Sequence, residues 1–430
     1  MGELRRIAIV GSARIPFCRA YTGYADETNL SMLGATLAAL ADKYNLRGEA
    51  VDEVMGGAVI SHSRDFNLAR EAALDAGFSP RTPGTNLQIA CGTSLQAALN
   101  LGAKIATGEI ESGIACGTDT VSDSPIVFGS KFQHRLVELN RAKTLPERVG
   151  TFGGFSFGEL APIAPSTQEP RTGLSMGEHC ELMARQWGIG HREQDELALR
   201  SHQNAARAYE EGFHDDLIAS FAGVLRDNNV RADTSLEKMA AMKPAFDKIS
   251  GHGTLTAANS TPLTDGASSV LLASEDWAKA HGLPVLAYLS FGQVAANDFA
   301  HGDGLLMAPT IAVSEMLKRA KLTLQDFDFY EVHEAFAAQV LCTLKAWEDA
   351  DYCRNVLGRD AALGAIDRER LNVKGSSLAY GHPFAATGAR ILGVAAKLLA
   401  TTGKSRALIS VCTAGGQGVT AIVEGASAAS

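Results

Sequence analysis

The chain has 430 residues, 46% of them hydrophobic and 20% charged, a balance that fits a well-packed protein of two or three domains. A formal net charge of −9 argues against general binding to nucleic acid or to an anionic membrane surface. Seven cysteines run from Cys18 to Cys412 without a C-x-x-C pair, which argues against a disulfide scaffold and a zinc site and for a reducing compartment.

The N-terminus, MGELRRIAIVGSARIPF, passes straight into a β-branched strand without a long apolar leader. It begins Met-Gly, but Arg6 stands where a myristoylation signal wants Ser or Thr. No apolar run approaches the roughly 18 residues of a membrane span, and the tail EGASAAS carries no recognisable address. A cytoplasmic location is expected.

RIAIVGSARI reads as the first strand, and helical spacing of apolar residues predicts a helix at about Ser31–Tyr44. A second strand in VDEVMGGAVI precedes a helix near Leu68–Ala76. TNLQIA then leads into a turn at Cys91, an Ala/Leu-rich helix and the strand SGIACGTDT. This alternation predicts an α/β fold with a mixed or largely parallel sheet. Over residues 126–253 the rhythm breaks into glycine and aromatic clusters (FGGFSFGEL), prolines and a charged helix, the composition of an inserted loop or cap domain. That insertion carries a basic cluster, Lys131, Arg135, Arg141, Lys143 and Arg148, suited either to a partner, cofactor or membrane phosphate or to an ordinary charged surface. TAANSTPLTDGASSVLLAS returns to a buried strand, completing with residues 254–277 the N-terminal half begun by residues 1–125. VLAYLSFGQVAA opens a C-terminal half over 278–430.

The halves echo each other. IACGTSLQAALNLGAKIATGEIESGIACG and LAYGHPFAATGARILGVAAKLLATTGKSRALISVC share an apolar approach, a reactive residue in a tight turn, an Ala/Leu helix and a buried strand. A duplicated half-fold would bring the two reactive turns together.

Four side chains lie where apolar runs break into small residues. Cys91 precedes Gly92, Thr93 and Ser94, which start helices; there a dipole and an imidazole would favour thiolate, although many such cysteines are only small buried hydrophobes. His382 is fixed between Gly381 and Pro383, as a base for that thiol or as a packed cap. Cys412 precedes Thr-Ala-Gly-Gly, a backbone able to aim successive N–H groups at one point, or else a plain strand end. His333 and Glu334 open HEAFAAQVLCTLKAW, read as an amphipathic helix that His333 could equally well cap. Cys18, Cys116, Cys180, Cys342 and Cys353 read as structural.

Together these motifs resemble the thiolase family. ACGTS is similar to the turn of the acyl-accepting cysteine, YGHPFAATGAR to the GHP box, VCTAGGQG to the C-terminal C-x-G-G box, and TLTAANSTPLTDGAS to the segment beside the pantetheine of coenzyme A. The resemblance spans nearly the whole chain. It implies the thiolase fold, two duplicated mixed-sheet α/β halves in a five-layered αβαβα arrangement with an inserted loop domain. It also implies thiolytic cleavage of 3-ketoacyl-CoA, with coenzyme A as co-substrate and neither cofactor nor metal. Cys91 would be the nucleophile, His382 its base and Cys412 the second acid/base. The N–H groups of Cys91 and Ala414 would form one oxyanion hole; a water near His333, with His382, would form the other. Glu334 and Gly415 would support these groups, and Asn259, Ser260, Thr261 and Phe336 would contact substrate.

Two departures narrow the branch. His333 stands where many thiolases have asparagine, and Ala414 where glycine is usual. The His-Glu-Ala-Phe form looks like the β-subunit of the fatty-acid oxidation trifunctional complex and its bacterial relatives. That likeness implies medium- or long-chain substrates, a homodimer or dimer of dimers, and a hydratase/dehydrogenase α-subunit as partner. A decarboxylating condensing synthase, a biosynthetic acetoacetyl-CoA thiolase and a non-catalytic lipid-binding relative are the alternatives.

Overall fold

A computed structural model describes residues 4–426; the Met-Gly start and the end of the EGASAAS tail lie outside them. The first half of the chain forms β1 (Ile7–Arg14), β2 (Cys18–Arg19), α1 (Asn29–Lys43), β3 (Glu53–Gly57), α2 (Leu68–Asp75), β4 (Gly84–Asn86), α3 (Thr93–Thr107) and β5 (Ser112–Asp119). Helix α1 starts two residues earlier than its apolar spacing suggests because Thr28 and Ser31 make a reciprocal capping box. The insertion follows with β6 (Val127–Phe128), α4 (Ser130–Arg141), α5 (Leu145–Gly150), β7 (Pro162–Ile163), α6 (Met176–Trp187), α7 (His191–Glu210) and α8 (Leu236–Ala240). Then come β8 (Thr264–Ser274), α9 (Glu275–Ala280), β9 (Ala287–Ala296), α10 (Ala308–Ala320), β10 (Phe329–Val332), α11 (Ala337–Glu348), α12 (Ala350–Asn355), α13 (Ser377–Tyr380), α14 (Thr387–Thr402), β11 (Arg406–Thr413) and β12 (Gln417–Gly425).

Strand pairing exposes the duplication. In the first half β3 runs parallel to β5, β5 antiparallel to β8, and β8 antiparallel to β1. In the second, β10 runs parallel to β11, β11 antiparallel to β12, and β12 antiparallel to β9. The halves meet edge to edge, where Ala8–Tyr288 and Ile9–Ala287 pair, so one continuous sheet runs through both halves. Helices α3 and α14 fill the fold, sharing a core of Leu101, Ile105, Leu392 and Leu399 with Val270 and Val411 from the two half-sheets. Helices α1 and α2 cover one outer face and α10 and α11 the other, which makes the five layers αβαβα. Strands β5 and β8 are buried along their whole length, so they read as near-continuous apolar or small-residue runs and not as alternating ones.

One expectation fails in the centre. Phe384–Thr402 is a helical segment long and apolar enough to cross a membrane, yet 78% of it is buried between the half-sheets, as a core helix is. A second correction concerns His333 and Glu334, which precede α11 by several residues. That helix begins only at Ala337 and is buried on nearly every side, so it is not amphipathic.

The insertion divides into two kinds of structure. Its latter part is bolted to the body: Asp227 takes a bidentate pair from buried Arg14 at 2.6 and 2.7 Å and accepts from the Phe17 amide and the Tyr209 hydroxyl. Its early part, α4 and α5, contains no buried residue.

Candidate active site

Cys91 sits in a turn stapled by Thr93, whose hydroxyl accepts from the Ile89 amide at 3.0 Å and donates to the Ala90 carbonyl at 2.7 Å. Ala90 is held at φ 46°, a left-handed conformation that a residue with a Cβ seldom adopts, and this strain seats Cys91 just before the α3 N-terminus. A Cβ on Gly92 would lie 2.6 Å from Val419 and 2.9 Å from Thr413. Only glycine lets the end of β11, which carries Cys412, and the start of β12 come this close.

His382 reaches the same sulfur from α14's approach. Its Nε2 lies 3.1 Å from Cys91 Sγ and its Nδ1 2.6 Å from Thr387 Oγ1. The Thr387 hydroxyl donates to the Pro383 carbonyl at 3.2 Å, so its oxygen accepts from Nδ1–H and leaves the Nε2 lone pair aimed at the thiol. Gly381, at φ 98°, adopts a backbone closed to other residues and presses against Thr264, which accepts from the His382 amide at 3.1 Å. Asp119, fully buried, takes the amides of Val59, Ile60 and Ala385 and so pins the residues after the GHP box to β5.

The electrostatics correct one expectation. Burial pushes the Cys91 thiol up to about 12, only partly opposed by the N–H groups of Ala414 and of Cys91 itself, with Asp119 and Glu169 adding to the rise. Burial, reinforced by the Arg390 charge, brings His382 down to about 3. The resting pair is therefore thiol and neutral imidazole; the expected thiolate loses to desolvation.

His333 completes the cluster. Its ring stands 4.2 Å from that of His382, and one donor atom each from Cys91, His333 and His382 lies within 4.8 Å of the others. Its Nδ1 lies 2.9 Å from Ser377 Oγ, while Nε2 is buried with no hydrogen-bond partner among the described residues. Burial, and then the nearby His382 and Arg390, hold this imidazole neutral. Cys412 is buried too, and burial first and Cys91 second raise its thiol.

Glu169, missed in the sequence, comes from the insertion. Its carboxylate accepts the Gly415 amide at 2.9 Å and so holds the turn whose Ala414 N–H favours charge on the Cys91 sulfur. Only its place shortly before Gly-Leu-Ser-Met hinted at a helix approach, and nothing at its contact. Asp119, Ser377 and Arg390 were likewise unread, because their partners lie outside their own motifs, as was Thr387, although its partner His382 stands only five residues before it.

The remaining candidates separate. Glu334 is buried and spent on Ser201 at 2.7 Å, Asn372 at 2.6 Å and the Leu378 amide at 3.2 Å, a tie between the insertion and the catalytic loops. Asn259 is fully buried and its amide is engaged by Asp195, Thr254 and Thr256, so it shapes its loop. Thr261 donates to the Ala335 carbonyl at 3.1 Å, leaving Ser260 Oγ unpartnered beside Phe336, with which Ser260 forms a bridge. Phe336 packs edge-on against Phe246 at 5.7 Å. Of the basic cluster, Arg135 is turned inward onto Glu159 at 2.7 Å, whereas Lys131, Arg141, Lys143 and Arg148 are exposed.

Comparison with known proteins agrees with this geometry. The family model described as thiolase, N-terminal domain, matches residues 7–276, and thiolase, C-terminal domain, matches residues 283–425. The 3-ketoacyl-CoA thiolases of Yersinia enterocolitica and of Yersinia pestis are each 39% identical to the chain over 425 residues, covering 97% of both proteins. The crystal structure of the Bacillus anthracis acetyl-CoA acetyltransferase superposes with a TM-score of 0.82 at 30% identity, covering 99% of this chain and all of that one.

Proposed function

We infer the reaction from one premise: this chain belongs to the thiolase family. It cleaves a 3-ketoacyl-CoA with coenzyme A, giving acetyl-CoA and an acyl-CoA two carbons shorter. The observation that carries this reading is the 3.1 Å contact between His382 Nε2 and Cys91 Sγ.

In the first half-reaction Cys91 gives its proton to His382 Nε2 as the sulfur bonds to the 3-keto carbon. The N–H groups of Cys91 and Ala414 take the charge on that oxygen. The C2–C3 bond then breaks, its electron pair leaves as the enolate of acetyl-CoA, and Cys91 retains the acyl chain as thioester. The enolate oxygen rests between the His382 imidazolium and the Nε2–H of His333. Cys412 protonates C2 and becomes thiolate. In the second half-reaction that thiolate removes the proton of coenzyme A, whose sulfur attacks the thioester; Cys91 leaves and recovers its proton from His382. Two neutral thiols and two neutral imidazoles at rest suit this sequence, because every charge appears only as the reaction proceeds.

The insertion, residues 126–253, covers the coenzyme A site, and Ser260 and Phe336 border the pantetheine path. The protein works in the cytoplasm as a homodimer or dimer of dimers on medium- and long-chain substrates. Its exposed α4–α5 hairpin receives a hydratase/dehydrogenase α-subunit. Cys91→Ala should abolish coenzyme A-dependent loss of a 3-ketoacyl-CoA while leaving the fold intact, and mass spectrometry of wild type should find the acyl group on the Cys91 peptide. Turnover retained by that variant refutes the nucleophile. A thiolysis series should favour C8–C16 substrates; strict preference for acetoacetyl-CoA refutes the branch.

A further inference from the structure

An imidazole in water carries its proton on either nitrogen, and the donor role given to His333 above needs it on Nε2. The contacts around Nδ1 decide the matter without reference to the reaction. Nδ1 lies 2.9 Å from Ser377 Oγ, and the same oxygen lies 2.9 Å from Nη2 of Arg390. A guanidinium can only donate, so the serine oxygen accepts from Arg390 and keeps one hydrogen of its own to give. No other acceptor lies within hydrogen-bond distance of that hydroxyl among the described residues, which leaves His333 Nδ1. The opposite tautomer would point two N–H groups at one oxygen and bury the serine hydrogen unpaired, the costlier arrangement. With Nδ1 accepting, the proton sits on Nε2, the buried atom without a partner.

Arg390 is itself fixed. It lies buried in α14, also reaches Ser376 Oγ at 3.4 Å, and has the buried acidic side chains of Glu331 and Glu334 nearby. Its charge also bears on both imidazoles and opposes their protonation.

We propose that Ser377 and Arg390 are positioning residues that lock His333 in the Nε2–H tautomer, so that a preorganised donor faces the reacting oxygen. The part that concerns the oxygen rests on the function proposed above; the tautomer does not.

Histidine-labelled protein tests the lock directly. Nitrogen-15 spectra, with the His333 signals identified by their loss in His333→Asn, should show an unprotonated Nδ1 and a protonated Nε2 in wild type. Ser377→Ala should mix the two tautomers and lower kcat about 10- to 100-fold with KM changed less than about 2-fold. Ser377→Thr, which keeps the hydroxyl, should restore both readouts. A protonated Nδ1 in wild type, or His333 signals unaltered in a folded Ser377→Ala protein, overturns the lock whatever the turnover. Signals that change while kcat does not would uphold the lock and refute His333 as the enolate's donor.

Discussion

A thiol buried against an imidazole can rest as an ion pair or as two neutral groups, and here desolvation of both partners selects the neutral pair. Carboxamidomethylation of Cys91, followed by peptide mass spectrometry, should therefore accelerate without a plateau from about pH 6 to about pH 9, because the thiol titrates far above that range. A plateau below about pH 8 would mean a preformed thiolate. Glu169 modulates the same sulfur in two ways, by gripping the Gly415 amide and by its negative charge. Glu169→Gln keeps an acceptor and removes the charge, so alkylation at about pH 8 should quicken several-fold while kcat stays within about 3-fold. Glu169→Ala releases the turn and should cost about 10- to 100-fold in kcat. Identical behaviour of the two variants would show that the grip does not matter. Cys91, His333, His382 and Cys412 were legible as candidates because each interrupts an apolar run with small residues. The protonation state of Cys91 was not, since it depends on burial by segments hundreds of residues away.

The distance between nucleophile and base is set where two helices meet. Ser94 at the start of α3 accepts the Ala389 amide of α14 at 2.8 Å, and a Cβ on Gly388 would lie 2.5 Å from the Leu95 nitrogen and 2.8 Å from its Cβ. Backbone atoms cannot swing aside as a flexible side chain can, so Gly388→Ala must push α3 from α14. It should destabilise by about 1–3 kcal/mol and, by lengthening the Cys91–His382 contact, lower kcat/KM at least about 10-fold. Wild-type kinetics with a normal melting temperature would show that the helices have slack. The α4–α5 hairpin presents the opposite situation, with Leu145 74% and Val149 66% exposed beside four exposed cations. Reversing Lys131, Arg141, Lys143 and Arg148 to glutamate should reduce co-purification with an α-subunit at least about 5-fold without altering thiolysis of a short substrate. Undiminished co-purification would exclude this surface. The insertion was visible in composition, and the duplicated halves in their shared strand–turn–helix order. The β1–β9 seam joining them was not, because its two register pairs leave no pattern in either strand.

At the scale of the whole molecule, the buried ionisable groups should confine stability to a narrow range of pH. Burial holds His202 at about 4, His214 and His382 at about 3, and His333 well below its ordinary value. Below about pH 6.5 the unfolded chain binds protons at these imidazoles and the native state refuses them, so acid draws the equilibrium toward unfolding. Asp119, raised to about 7, and Glu331, raised to about 8, act in the other direction. The native state keeps their protons after the unfolded chain has lost them, which softens the acid loss and removes stability as pH rises toward those values. With His179 also lowered, and Glu334 and Asp195 also raised, the imidazoles still outnumber the carboxyls on the acid side, whereas above about pH 6.5 the carboxyls act alone. The melting temperature should accordingly peak near pH 6.5 to 7 and fall on both sides, more steeply toward about pH 5. His382→Asn removes one of these proton acceptors and should flatten the acid limb without moving the alkaline one. A melting temperature constant between about pH 7 and about pH 5 would mean that water reaches these imidazoles. The neutral resting state on which Cys91 and His382 depend would then be lost as well.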